Sequence, residues 1–349
     1  MEKDIKNLSL EELKEYFEGI GEKPYRAKEI FRAIYKNKIF DFHDITTLPK
    51  TLREKLDSQF FITSSKIVSK QKSSDNSIKF LIKFPDNSLV ETVLIKDSAR
   101  GKTRNTLCLS SQVGCAMKCK FCATGQMGFT RNLTAGEIIE QFLLVEKEAG
   151  KINNIVFMGM GEPLANYENV KKAIEIITDT NGRELGKRKI VISTSGIIDK
   201  IYRLTDKIKS VKLAISLHAA TQEKRDFLMP GLRKYKISDL LEALKYYNRK
   251  TGNTITIEYL LIKDINDDYK DAKDLIKLLR NLKFVKVNLI HFNQVPHIDF
   301  KPSNREKIFA EILRKNGITV TIRHSKGEEI SAACGQLATD TKRNRKFEA

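Results

Sequence analysis

The chain has 349 residues, 41% of them hydrophobic and 31% charged; that is enough for a substantial core, suggests about two domains, and is too apolar for a disordered chain. It contains no run of about 18 apolar residues, and Met1-Glu2-Lys3-Asp4 opens no leader pattern, so neither a membrane span nor a secretory leader is expected and a cytoplasmic location is. The formal charge is +19, with a basic surplus of only 3 in residues 1–100 and of 16 in residues 101–349, which points to a polyanionic partner for the later part unless the lysines are simply a solvated surface.

Residues 1–60 read as helical. Ser9 with Glu12 offers a cap before an apolar stripe, and residues 25–34 and 48–56 give two more short amphipathic helices. Residues 65–97 alternate, and 78–84, a Pro85-Asp86-Asn87 turn and 89–95 read as a β-hairpin. On alternation alone Glu91 faces solvent. The polar, basic stretch 98–105 reads as a linker, so the expected division is 1–97, a small domain of helices followed by a β-hairpin, and 98–349, a larger core with a C-terminal segment. From residue 106 strands and helices alternate. Strands are expected at 106–109, 154–158, 190–194, 211–217, 254–261, 285–292 and 318–323, with helices at 135–149, 170–178, 198–207, 237–250, 269–282 and 304–316. This rhythm implies an α/β class with a parallel sheet, closed fully or partly into a barrel, with functional groups at the C-terminal strand ends. Residues 341–349 read as a frayed basic tail.

Five cysteines, an odd number, make a disulfide framework unlikely to be the design, and four of them crowd into 108–122. Cys115-Ala-Met-Lys-Cys119-Lys-Phe-Cys122 places three thiols on one loop directly after a strand. Three thiolates can hold three irons of a cubane and leave the fourth open, whereas a zinc site more often uses four ligands. Gly159-Met160-Gly161-Glu162-Pro163 follows the next strand; glycine admits a close ligand and the carboxylate can face an ammonium group. Ser193 and Ser195, then Ser216-Leu217-His218, then Asn293 recur at later strand ends and suggest one shared site. Cys334, in Ala333-Cys334-Gly335-Gln336-Leu337, is by residue type alone a small buried hydrophobe.

The C-x3-C-x2-C spacing resembles the radical S-adenosylmethionine (SAM) superfamily. The fuller set, comprising Thr106-Leu-Cys108-Leu-Ser-Ser-Gln-Val-Gly-Cys115, Cys122-Ala-Thr-Gly-Gln-Met-Gly-Phe-Thr-Arg-Asn-Leu, Gly159-Met-Gly-Glu-Pro-Leu-Ala-Asn and Ala333-Cys334-Gly-Gln-Leu, is similar to the RlmN/Cfr family of RNA adenine methyltransferases over nearly the whole chain. The resemblance implies a partial (β/α)6-type radical SAM barrel with a small N-terminal domain serving as an RNA platform. It implies one 4Fe-4S cluster on Cys115, Cys119 and Cys122, and two SAM molecules per turnover, with Gly161, Glu162, Ser193, Ser216, Leu217, His218 and Asn293 around the bound SAM. It further implies Cys334 as the S-methylated carrier, Cys108 as its transient disulfide partner and Glu91 as proton acceptor. The implied substrates are an adenosine of 23S rRNA at the peptidyl-transferase centre and a tRNA adenosine beside the anticodon. The implied partners also include a flavodoxin- or ferredoxin-like reducing system, and no membrane. Methylation at C2 is expected from Gly161-Glu-Pro-Leu-Ala-Asn, Ser193-Thr-Ser-Gly and Asp179-Thr-Asn-Gly-Arg-Glu-Leu-Gly. The alternatives are a C8-methylating relative that gives antibiotic resistance, and a non-catalytic iron–sulfur RNA-binding protein. One departure from the C2 branch is His291 and Gln294, where proline is commoner.

Overall fold

The computed structural model describes residues 3–99, 102–323 and 325–339; the tail expected at 341–349 lies outside them. The chain begins with β1 (Lys3–Asp4), α1 (Leu10–Gly19), α2 (Tyr25–Tyr35), α3 (Lys50–Asp57) and β2 (Phe60–Phe61). The Ser9–Glu12 pair forms the expected reciprocal capping box on α1. Strands β3 (Lys66–Lys72), β4 (Ile78–Lys83), β5 (Leu89–Ala99), β6 (Lys102–Cys108) and the short β7 (Gln112–Gly114) follow. Next come α4 (Ala123–Gln126), β8 (Phe129–Asn132), α5 (Ala135–Ala149), β9 (Asn154–Phe157), α6 (Tyr167–Thr178), β10 (Ile190–Thr194), α7 (Ile198–Lys207) and β11 (Lys212–Ser216). The described chain continues with α8 (Gln222–Leu228), α9 (Ile237–Thr251), β12 (Ile255–Leu261), α10 (Tyr269–Leu279), β13 (Val285–His291), α11 (Glu306–Lys315) and β14 (Thr319–Arg323).

One sheet runs β14-β13-β12-β11-β10-β9-β6-β5-β4-β3. From β14 to β6 every pairing is parallel, and from β6 to β3 every pairing is antiparallel. The parallel part is the expected partial barrel, with helices α5, α6, α7, α9, α10 and α11 in the crossovers. Its strands are rich in Val, Ile and Leu because a sheet under helices is buried on both faces. The stretch expected as a linker is strand instead: residues 102–105 pair with 96–99 in the β5–β6 hairpin. Polar side chains do not prevent a strand whose backbone groups find partners, and this hairpin carries the sheet across residue 97. The pair β7–β8 and the helix α8 had no periodic signal, being too short to show one.

The N-terminal helices dock on α5. Lys6 is fully buried and ion-paired with Glu140 of α5, and Asn7 accepts from the Gly136 N–H at 2.8 Å. Beyond β14 the chain returns as a strap. Gly327 donates to Asp75 at 2.8 Å, Glu329 accepts from Ser73 at 2.7 Å, and Thr124 donates to the Leu337 carbonyl at 2.7 Å. The strap therefore bridges the β14 side of the barrel to the antiparallel end of the sheet.

Candidate functional site

The three loop cysteines open into one cavity at the C-terminal strand ends. The loop is held by backbone bonds: Cys115 N–H to Gly128 at 2.7 Å, Lys120 N–H to Leu228 at 2.9 Å and Gly231 N–H to Met117 at 3.0 Å. Burial pushes the Cys115 thiol up to about 12. It also raises Cys119 and Cys122, and the charge of neighbouring cysteines adds to the shift on Cys119. Three such thiols become thiolates only when a bound cation replaces their protons. Among the described residues no three His, Cys, Asp or Glu side chains converge on a single ion position. In a cubane each thiolate binds its own iron, and a zinc more often takes four ligands, so three cysteines on one loop suit a cluster better than a lone zinc.

Gly161, Glu162, Ser193, Ser195, Ser216 and His218 line the same cavity. Gly161 has φ +98, and a Cβ there would lie 2.6 Å from Gln112 Cβ, so only glycine keeps this wall in place. Glu162 is buried, which raises its carboxyl, while four hydrogen bonds pull the other way. They come from Thr194 Oγ1 at 2.7 Å, Ser195 N–H at 2.7 Å, Ser195 Oγ at 2.6 Å and Leu164 N–H at 2.9 Å. The carboxylate thus fastens the end of β9 to the end of β10. His218 packs edge-on against Phe121 and accepts from the Leu260 N–H through Nδ1 at 3.1 Å. Desolvation, reinforced by Arg225, drives it down to about 3, so the ring is neutral and its Nε2 carries the proton.

Two expected residues stand elsewhere. Leu217 packs in the hydrophobic core, and its carbonyl accepts from Arg225 at 2.8 Å. Asn293 is buried and donates to the Cys334 carbonyl at 3.3 Å, holding the strap.

A second cavity opens at the N-terminal ends of β6, β9, β10 and β11. Cys108 and Cys334 both line it, and Cys334, Met158, Ile290 and Arg323 line the first cavity as well. Cys334 therefore sits at the boundary between the two. Burial pushes the Cys108 thiol up to about 12; charge on Cys334 would add to this and Arg323 opposes it. Arg104, Arg188, Lys189 and Lys212 form a basic collar at the mouth. Glu91 lines neither cavity. It is 1% exposed, is ion-paired with Lys79 at 2.9 Å and accepts from the Ala338 N–H of the strap at 2.9 Å. The solvent-facing reading from alternation fails because the strap covers this face of β5.

Sequence reading did not single out Arg225, Glu258, Arg323 or Lys79. Arg225 is fully buried and donates to the carbonyls of Ser216 at 3.0 Å and Leu217 at 2.8 Å, and to that of Ser195, so it ties the ends of β10 and β11 together. Glu258 lines the first cavity with Oε2 buried and unpartnered. A buried charged residue in a helix or strand leaves no periodic trace, because its partners come from distant segments.

The Radical SAM superfamily profile matches residues 109–279, and the profile of the ribosomal RNA large subunit methyltransferase N-terminal domain matches residues 3–62. A Clostridium botulinum (strain Eklund 17B) protein named "Probable dual-specificity RNA methyltransferase RlmN" is 47% identical over 339 residues, covering 96% of each chain. The chain belongs to the RlmN family. A protein of the same name from Aquifex aeolicus is 46% identical over 342 residues, covering 96% of this chain and 97% of its own. The crystal structure of a radical SAM methyltransferase from Sphaerobacter thermophilus superposes with a TM-score of 0.89 at 42% identity, covering 97% of this chain and 100% of the other. Membership of this family implies SAM and a 4Fe-4S cluster. The cavity fits both: three cysteines on one loop, a glycine turn in its wall packed too closely on Gln112 for any Cβ, and the buried Glu258 carboxylate oxygen with no hydrogen-bond partner among the described residues. No helix among the described residues is long and apolar enough to cross a membrane.

Proposed function

We propose that this chain methylates C2 of adenosine in 23S rRNA and in tRNA, with Cys334 as carrier of the one-carbon unit. The observation that carries this reading is the position of Cys334 on the shared wall of two cavities, one built for a cofactor and one with a basic mouth. Cluster and SAM together supply a 5′-deoxyadenosyl radical at the first cavity, and a second SAM supplies the methyl group. Cys115, Cys119 and Cys122 hold the cluster. Gly161 clears the cofactor's space, the fixed Glu162 carboxylate faces its ammonium group, and Ser193, Ser216 and the neutral His218 supply polar contacts, with Leu217 and Asn293 supporting the wall and the strap.

Cys334 would carry the methyl group on its sulfur; that methyl would give one hydrogen atom to the deoxyadenosyl radical, its carbon would bond to the adenine ring presented from the second cavity, and the adduct's unpaired electron would return to the oxidised cluster. Glu91 takes the ring proton; Lys79 holds it in place, and release of the Ala338 N–H exposes it. The Cys108 thiolate then attacks the Cys334 sulfur and breaks its bond to the transferred carbon; that carbon takes up a proton to become the methyl group of the released base, and a Cys108–Cys334 disulfide remains. Arg323 beside both thiols favours the attacking thiolate. A cellular reductant reopens the disulfide, and a flavodoxin- or ferredoxin-like carrier supplies the electron for radical formation. The target base must leave its stack to reach the second cavity, so the collar receives the flanking phosphates and residues 1–97 act as an accessory RNA platform to the core of residues 98–349. The RNA substrates and the reductants this reading calls for are those of the cytoplasm, and the proposed location is there.

The test is mass spectrometry of nucleosides from treated RNA. Wild-type protein should give 2-methyladenosine; 8-methyladenosine would establish the C8 reading instead. Cys334→Ala should keep the cluster's visible absorbance and yield no methylated base. Methylation by that variant would end the carrier role.

A further inference from the structure

The radical chemistry proposed above needs one electron delivered from outside to the Cys115, Cys119 and Cys122 site, and this inference rests on that reading. Electron transfer through protein weakens steeply with distance, so the donor must dock over the shortest path, the cysteine loop itself. Lys118 is exposed on that loop between two of the cysteines. The bonds from Gly231 to Met117 and from Lys120 to Leu228 join the loop and the segment after α8 into one surface. There the Lys120 ammonium lies 3.7 Å from the centroid of the Phe227 ring, and that ring is 44% exposed. Arg233 and Lys234 are exposed just beyond. The acidic residues of α8 are Glu223 and Asp226, two against the four cations Lys118, Lys120, Arg233 and Lys234, so the net charge of this face is positive.

Phe227, with the Lys120 ammonium over its ring and further cations around it, offers an apolar centre inside a positive rim, and that charge selects an acidic partner. We propose that the face formed by Lys118, Lys120, Phe227, Arg233 and Lys234 docks a small acidic one-electron carrier protein, bearing a flavin or an iron–sulfur centre. Phe227 supplies the apolar centre of the contact, and the cations steer the encounter and orient the carrier's redox group toward the loop. RNA would also be drawn to cations, but the basic collar with a cavity behind it lies at the opposite end of the barrel.

The test compares two reductants for SAM cleavage by the reconstituted holoenzyme: dithionite, which needs no docking, and flavodoxin, an acidic flavoprotein. Lys118→Glu combined with Lys234→Glu should raise the flavodoxin concentration for half-maximal rate by about tenfold or more, and leave the dithionite-driven rate and RNA affinity as in wild type. The wild-type flavodoxin rate should fall as salt is raised, by screening. Arg233→Glu combined with Lys234→Glu leaves the loop untouched and should show the same selective loss, which guards against damage to the cysteine loop. Unchanged flavodoxin kinetics in both variants would overturn the proposal, and a loss of RNA affinity instead would reassign the face to RNA. If dithionite fails to drive SAM cleavage in wild-type holoenzyme, the radical reading itself fails, which is a separate result.

Discussion

The two ends of the barrel carry opposite chemistry on one set of strands. At the C-terminal ends the cavity is walled by cysteines, glycines, serines and a neutral histidine, with Glu162 fully bonded to β10. At the N-terminal ends the cavity is ringed by Arg104, Arg188, Lys189 and Lys212. The first is pre-organised around a small ligand; the second presents charge to a large anion. Parallel strands make this division possible, because their loops gather at one end while their first residues form a mouth at the other. Cys334 belongs to neither end by sequence, and the strap sets it between them.

If each end serves one ligand, variants should separate along the same line. The largest effect is expected at the junction. Cys108→Ala should block product release altogether and trap the protein covalently on RNA, visible as a slow band on denaturing gels; its absence counts against the release role. At the cofactor end, Gly161→Ala forces a Cβ to within 2.6 Å of Gln112. Overpacking of this kind costs about 1–3 kcal/mol of folding stability, so the variant should unfold at lower urea, and its displaced wall should weaken SAM binding while RNA affinity stays constant. At the mouth, replacing Arg188, Lys189 and Lys212 together by Gln should weaken RNA binding by about tenfold and flatten its salt dependence by about 1 in slope per lost phosphate contact. SAM cleavage in the absence of RNA should not change. A variant that lowers both affinities would break the separation.

The smallest effect concerns His218. Its folded value is about 3, against about 6.5 when unfolded. The unfolded chain therefore binds the proton first, and stability present above pH 6.5 drains away as the pH falls toward 3. At pH 5 the difference is about 2 kcal/mol. His218→Asn, whose amide oxygen can accept from Leu260 as Nδ1 does, should lose less stability than wild type between pH 7.5 and pH 5 in urea titrations. Equal losses would show that the ring is not desolvated as described.

Much of the fold was legible because it is local. Buried parallel strands announce themselves as runs of Val, Ile and Leu, and the capping box at Ser9 needs only neighbouring residues. Helix ends shifted by a few residues; α6 starts at Tyr167 rather than 170 and α10 stops at Leu279 rather than 282. The 98–105 stretch misled because strand pairing was judged from side chains, whereas the hairpin is held by backbone groups. Glu91 was placed on a solvent face because alternation cannot foresee a strap from the far end of the chain. Arg225 left no signal because three of its partners are backbone carbonyls at strand ends, which any residue type supplies.

The sequence by itself determined the cysteine loop, the order of strands and helices and the excess of positive charge in the later part, since each depends on residues close together in the chain. Only the tertiary structure decided that Cys334 meets Cys108 beside Arg323, that Glu91 is buried against Lys79, and that the charge forms a collar at one end of the barrel. Those contacts join segments brought together by sheet closure and by the returning strap, and no local pattern of residue types encodes where such segments meet.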